Sequence, residues 1–233
     1  WGLTTPGYDV GGRGATLMAV SDQLDPTDPT ALEALRPLAS SEVTITGGMI
    51  HREVYTQQGL LTALVHEPAG PSALPAAIVM CGGALGGLLG PGHGLYHALG
   101  ERWSARGVTA VRVNYRTPND LDRCAHDLAC GVEWARDAGA ERVVVLGHSF
   151  GGAVAIRTAV VMPGSVVGVV TFATQSAGCE VAGALDGRPL LLFHGDRDEL
   201  LSPDSSQTVQ MIAGSGEVVI LPGDGHVLGK SDA

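Results

Sequence analysis

Six short runs rich in β-branched residues recur from residue 76 onward, at 76–81, 108–115, 142–146, 166–172, 190–193 and 217–221. None alternates apolar with polar residues, so each reads as a strand buried on both faces. Helical windows lie between them. Residues 119–137 set Leu121, Ala125, Leu128, Val132 and Ala135 on one stripe, with Asp122, Arg123, Asp127 and Glu133 off it. Residues 151–162 are small and apolar on nearly every side, as a helix wedged against a sheet requires. Pro203 opens a further helix to residue 212, with Ser202 as its cap and Pro203 at its first position. Strands alternating with helices predict an α/β fold: a mainly parallel, twisted sheet with helices on both faces.

Upstream, alternation in residues 42–47 and again in 52–68 predicts an antiparallel pair of strands at one edge of that sheet. Residues 1–40 are rich in Gly, Pro, Thr and Asp and lack a sustained period, apart from one short helix. Thr30 and Glu33 form a capping box that opens it, and Pro37 stops it. The organisation expected is an N-terminal arm, residues 1–40, packed on a single body of residues 41–233.

Composition narrows the partners. The 233 residues carry 14 Lys and Arg against 24 Asp and Glu, a formal charge of −10. Nucleic acid is disfavoured, because phosphate binding needs clustered basic side chains and none are present. With 45% hydrophobic and 16% charged residues, intrinsic disorder is excluded. Two long uncharged stretches, 68–100 and 158–179, mimic membrane spans, but Pro68, Pro71, Pro75 and Pro91 break the first and Pro163-Gly164 the second. The N-terminus has no basic and apolar regions of a secretory signal, which points to the cytoplasm, although without an initiator Met an upstream segment is left open. Cys81, Cys124, Cys130 and Cys179 show no metal-type spacing and read as buried reduced thiols. His93 and His97 stand four apart at an expected helix start, yet no Glu follows His93 and no third ligand is evident, so neither a metal nor a cofactor is expected.

The segment that carries chemistry is the 142–146 strand followed by Gly147-His148-Ser149-Phe150-Gly151-Gly152 and an apolar helix. A G-x-S-x-G turn between strand and helix presents a serine hydroxyl on a sharp, strained bend, and side chains at the flanking glycines would collide across it. A serine hydroxyl needs a base to take its proton and a carboxylate to orient that base. Both follow in chain order. The strand at 190–193 runs into His194-Gly195-Asp196-Arg197-Asp198, and the strand at 217–221 into Pro222-Gly223-Asp224-Gly225-His226.

From about Ser41 to the C-terminus these motifs resemble the α/β-hydrolase superfamily: GHSFGG its nucleophile elbow, HGDRD its acid loop and GDGH its histidine loop. The resemblance implies Ser149 as nucleophile, His226 as general base and then acid, and Asp198, last in the HGxxD pattern, as the orienting carboxylate. Asp196 and Asp224 are the competitors for that place, Asp224 lying too near His226 in sequence to orient its ring easily. His148 and His194 flank the centre as hydrogen-bonding or packing residues. An oxyanion hole needs two backbone donors. The N–H of Phe150 is one, and the Gly-rich loop Cys81-Gly82-Gly83-Ala84 resembles the HGGG-type loop that supplies the other, from Gly83 or Ala84.

Only about 17 residues separate the strands near Phe172 and Leu190, too few for a lid of several helices. The compact body resembles the dienelactone-hydrolase-like group of small ester and thioester hydrolases, with Ser149 in place of their cysteine. The site is expected to be open, or roofed by the N-terminal arm and the 86–94 loop. The family's last helix, after the histidine, is absent or cut short at Ala233. The expected activity is cleavage of a small-molecule carboxylic ester or thioester through an acyl-enzyme. The alternatives are acyl transfer or another non-hydrolytic reaction on the same triad, or a silent binding protein. Activity is expected to rise with the titration of His226 and level off above neutrality.

Overall fold

The computed structural model describes residues 29–46, 48–68 and 74–230. Most of the expected arm, residues 1–28, lies outside them. The described chain begins with a short helix α1 (Ala31–Ala34), opened by the capping box of Thr30 and Glu33. Its free N–H groups point at the Glu133 carboxylate, 2.6 Å from Ala31 N and 2.9 Å from Leu32 N, and His126 Nε2 donates to the Ala31 carbonyl. A carboxylate at a helix start is the favoured partner for unpaired amides.

Three strands follow: β1 (Ala39–Thr46), β2 (Met49–Thr56) and β3 (Gly59–His66). They form an antiparallel meander rather than the expected pair, because residues 52–68 fold back on themselves at Gln57-Gln58. The rest alternates as expected: β4 (Ala76–Cys81), α2 (Leu95–Ser104), β5 (Thr109–Asn114), α3 (Leu121–Asp137), β6 (Arg142–His148), α4 (Phe150–Val161), β7 (Val166–Phe172), β8 (Leu190–Gly195), α5 (Asp204–Ala213) and β9 (Glu217–Leu221). The helix expected from Pro203 starts one residue later, with Pro203 at the cap position and the Ser202 hydroxyl accepting from Asp204 N.

The described strands form one sheet in the order β1-β2-β3-β5-β4-β6-β7-β8-β9, parallel from β5 to β9 and antiparallel from β1 through the β3–β5 pair. The chain leaves β4 toward β5 on one side and returns across it to β6 on the other. Loops after β4 and β6 therefore diverge at the carboxyl edge and leave a crevice, the usual ligand position of an open α/β sheet. α3 and α4 cover one face through Leu128, Val132, Ala135, Val154 and Ile156, all fully buried. Each such side chain contributes roughly 1.5–3 kcal/mol by leaving water, Ala135 less. α2 covers the other face through Tyr96, against Ile78, Met80 and Ala110. None of the described helices is long and apolar enough to cross a membrane.

Asp127, expected off the buried stripe of α3, is fully buried. It receives Arg116 N at 2.8 Å and Arg116 Nε at 2.5 Å, fastening the segment after β5 to α3. Burial raises its carboxyl above the usual range, and the Arg116 contacts work against that rise.

Under α2, His66 is buried against Gly100, close to Arg112 and His97. Burial pushes its imidazole down to about 4, and the positive field of Arg112 and then His97 adds to the effect. Its folded value lies below the ordinary histidine value of 6.5, so an unfolded chain takes up a proton that the native state refuses until the pH nears 4. Native stability is therefore expected to fall between these two values as pH drops, by up to about 3 kcal/mol. Urea midpoints at pH 7 and pH 4.5, with His66→Phe as comparison, measure it; a drop of equal size in His66→Phe would assign the loss to other groups.

Candidate active site

β6 ends at His148 and α4 begins at Phe150, leaving Ser149 alone in the bend with φ 56° and ψ −120°. Three glycines permit the bend by having no Cβ. One added at Gly147 would sit inside the Gly151 carbonyl, at Gly151 inside the Gly82 carbonyl, and at Gly152 inside the Thr174 hydroxyl. Ser149 N donates to the Phe172 carbonyl at 2.8 Å, which anchors the strained residue to β7. Strain of this kind persists only when the surroundings over-determine it.

Ser149, Asp198 and His226 come together from three loops at the carboxyl edge. His226 Nε2 lies 2.9 Å from Ser149 Oγ, and His226 Nδ1 lies 2.8 Å from Asp198 Oδ2. The other carboxylate oxygen accepts the N–H groups of Leu200 at 2.9 Å and Leu201 at 2.8 Å. Burial alone would raise the Asp198 carboxyl, but the Leu201 N–H, the His226 ring and the Leu200 N–H outweigh it and hold the group below its usual range. An ionised carboxylate so placed fixes Nδ1 as the protonated nitrogen of His226 and leaves Nε2 free to take the serine proton.

The two competing acids have other work. Asp196 accepts Gly223 N at 2.6 Å and the buried Asp224 accepts Lys230 N at 2.7 Å, while Arg197 N donates to the Asp224 carbonyl. Together they fasten the acid loop to the histidine loop. His148 donates from Nε2 to the His226 carbonyl at 2.9 Å, with the two rings 5.0 Å apart, and burial lowers its affinity for a second proton.

Phe150 N heads α4, where the first amides have no partner within the helix. Gly83 lies across from it: a Cβ there would be 3.7 Å from Ser149 Cβ and 3.6 Å from His148 Nδ1. Ala84 is the next residue of the same turn, which closes through Gly86 N on the Gly83 carbonyl. Three side chains that sequence reasoning passed over clamp this loop. Tyr96 Oη donates to the Cys81 carbonyl and Tyr115 Oη to the Gly82 carbonyl, each at 2.9 Å, and Asn114 Oδ1 accepts Gly87 N at 2.8 Å. The only sequence signal was the polar pair Asn114-Tyr115 ending an apolar run at the sheet's carboxyl edge.

Cys81 points away from the crevice. Its thiol lies 3.5 Å from the Gly151 carbonyl, and burial pushes it up to about 12, far from a thiolate nucleophile. The cysteines are buried and unpaired. His93 precedes α2 and meets the Gly229 carbonyl, whereas His97 lies within α2 beside Glu101, so the pair does not share a helical face. A cavity of about 1310 Å³ lies between α1, α3 and α4, away from Ser149 and with no nucleophile–base pair on its walls.

No protein-family model matches the sequence, and no curated protein matches it either. Solved structures do. Est1E from Butyrivibrio proteoclasticus aligns with a TM-score of 0.63 at 17% identity, over 78% of this chain and 91% of its own. An α/β serine hydrolase without a lid from Xanthomonas campestris aligns at 0.57 and 19%, over 82% and 88%. A dienelactone hydrolase from Anabaena variabilis aligns at 0.59 and 16%, over 83% and 91%. The fold is that of the α/β hydrolases. More narrowly it is the lidless form, since the 17 residues between β7 and β8 hold one 3-10 turn, Ala182–Leu185, and no inserted helical layer.

Proposed function

We propose that this protein is a serine hydrolase that cleaves a carboxylic ester or thioester through an acyl-enzyme. The observation that carries the reading is the unbroken chain of contacts from Ser149 Oγ through His226 to Asp198, at 2.9 and 2.8 Å. The neighbouring folds include α/β serine hydrolases and a dienelactone hydrolase, and Est1E is known with ferulic acid, a carboxylic acid, bound.

In the first half-reaction Ser149 Oγ attacks the substrate carbonyl as its proton passes to His226 Nε2. Asp198 stabilises the imidazolium, and the N–H of Phe150 together with that of Gly83 or Ala84 receives the negative charge growing on the carbonyl oxygen. His226 then protonates the leaving oxygen or sulfur. In the second half-reaction the same imidazole takes a proton from water, which frees the acid and restores the serine.

A fluorophosphonate probe is expected to label the native protein and to leave folded Ser149→Ala unlabelled. Failure to label well-folded native protein overturns the proposal. For esters, kcat/KM is expected to be lower in acid than at neutral pH, because a charged imidazole has no lone pair to accept the serine proton. A flat profile under single-turnover conditions would contradict the role given to His226.

A further inference from the structure

The two loops that bring Ser149 and Asp198 to the site each send the adjoining side chain to the main chain of His226. His148, just before Ser149 and last in β6, donates from Nε2 to the His226 carbonyl at 2.9 Å. A carbonyl oxygen only accepts, so Nε2 carries a proton whether the ring is charged or not. Glu199, just after Asp198, accepts the His226 N–H on Oε2 at 3.2 Å. The two contacts grip the peptide planes on either side of the His226 Cα. The His148 ring lies between the His226 ring, 5.0 Å away, and Gly83, where a Cβ would stand 3.6 Å from Nδ1. The Glu199 carboxylate takes the space that a side chain at position 225 would need: a Cβ on Gly225 would fall 2.7 Å from Oε2.

His226 follows Gly223-Asp224-Gly225, and glycine restrains the backbone least of all residues. Asp198 holds Nδ1 at 2.8 Å, but a single bond at one ring atom leaves the ring free to swing about it. A reacting constellation has to be held to about 0.5 Å and about 10–20°. We infer that His148 and Glu199 are positioning residues: through the carbonyl and the N–H of His226 they fix the direction of its Cα–Cβ bond, and so keep Nε2 within reach of the Ser149 hydroxyl. The nucleophile loop and the acid loop thereby set the aim of the base that serves them both. For its effect on rate the inference rests on the hydrolase reading. For its effect on the His226 ring it does not.

The test compares the native full-length chain with His148→Phe, His148→Gln, Glu199→Leu and Gly225→Ala. Gln places an N–H near the lost Nε2. Gly225 has no positive φ, so Ala fits its backbone, and the new methyl group pushes the Glu199 carboxylate off the His226 N–H while leaving Glu199 in the chain. One readout is kcat and KM on an activated ester, per phosphonate-titrated site. The other is the rate at which water exchanges the His226 Nδ1 proton in the resting protein, followed on its low-field resonance, which is identified by its loss in His226→Ala. His148→Phe is expected to lower kcat about tenfold, with KM within about twofold of native, and to speed the exchange by a similar factor. His148→Gln is expected to restore most of both. Glu199→Leu and Gly225→Ala are each expected to lower kcat about threefold and to speed the exchange alike. The inference is overturned if His148→Phe keeps native kcat and native exchange, or if His148→Gln loses as much as Phe, which would assign the loss to packing of the ring. It is also overturned if Glu199→Leu and Gly225→Ala both match the native protein. Should His148→Phe not fold, the two variants at the Glu199 contact decide. If the native protein hydrolyses no ester, the hydrolase reading fails by itself and the exchange rates still decide the question of the His226 ring.

Discussion

Ser149→Ala is expected to lower kcat on an activated ester by about 10⁶-fold, His226→Ala by a similar factor, and the double variant by no more than either alone. The reason is geometric. On the proposed mechanism the hydroxyl is a nucleophile only while His226 Nε2, 2.9 Å away, takes its proton, so removing either member disables the same step. What survives is the donation by Phe150 and the 83–84 turn to a developing oxyanion, which still acts on a substrate attacked by water. Asp198→Asn should cost less, about 10⁴-fold, because the ring keeps its place but loses the charge that favours the reacting tautomer. Steady-state rates normalised to phosphonate-titrated sites, or to folded protein for the serine variant, measure these losses. Additive effects in the double variant, or a residual rate within tenfold of native, would show that Ser149 and His226 do not act as one unit.

Gly147→Ala is expected to destabilise the protein by about 4 kcal/mol or more, a loss of the size reserved for a forced backbone displacement. The new methyl group would occupy the space of the Gly151 carbonyl, and Gly151 is hemmed in on its other side, where a Cβ built on it would fall 2.2 Å from the Gly82 carbonyl oxygen. Relief therefore requires moving α4, the turn after β4, or both, and each carries part of the site. Gly139→Ala is the useful contrast. No atom lies within 4 Å of its added methyl, and only the positive φ of 95° opposes it, at about 1 kcal/mol. Denaturant midpoints of the two variants should differ widely. A Gly147→Ala protein as stable as Gly139→Ala would mean that the bend is looser than the glycine contacts imply.

Much of the architecture was legible because it depends on short-range pattern. β4, β7 and β9 begin and end at the residues where their apolar runs do, and the glycines around Ser149 declare the bend. Long-range pairing was not legible. Asp127 looked like a surface residue of α3 because nothing local reveals that Arg116 turns inward to meet it. The third edge strand was missed because Gln57-Gln58 is a weak turn signal, and only Gly59 hints at the reversal. The three side chains that meet at the carboxyl edge, Ser149, Asp198 and His226, lie in three motifs that the sequence shows in order, but the 3.2 Å approach of His194 to Asp198 was not legible, since a histidine near a strand end says nothing of where its ring lies. The tyrosine clamps on the Cys81 and Gly82 carbonyls were hidden for the same reason.

The short 3-10 connection between β7 and β8 also bears on the fate of the acylated serine. If Ser149 is acylated as proposed, no helical layer from that insertion stands between the covalent adduct and solvent. A competing alcohol or amine must then outrun a solvent that needs no binding site of its own. Such a centre favours release of the free acid, and shifting it toward synthesis would call for drying the crevice rather than altering the three residues that do the chemistry.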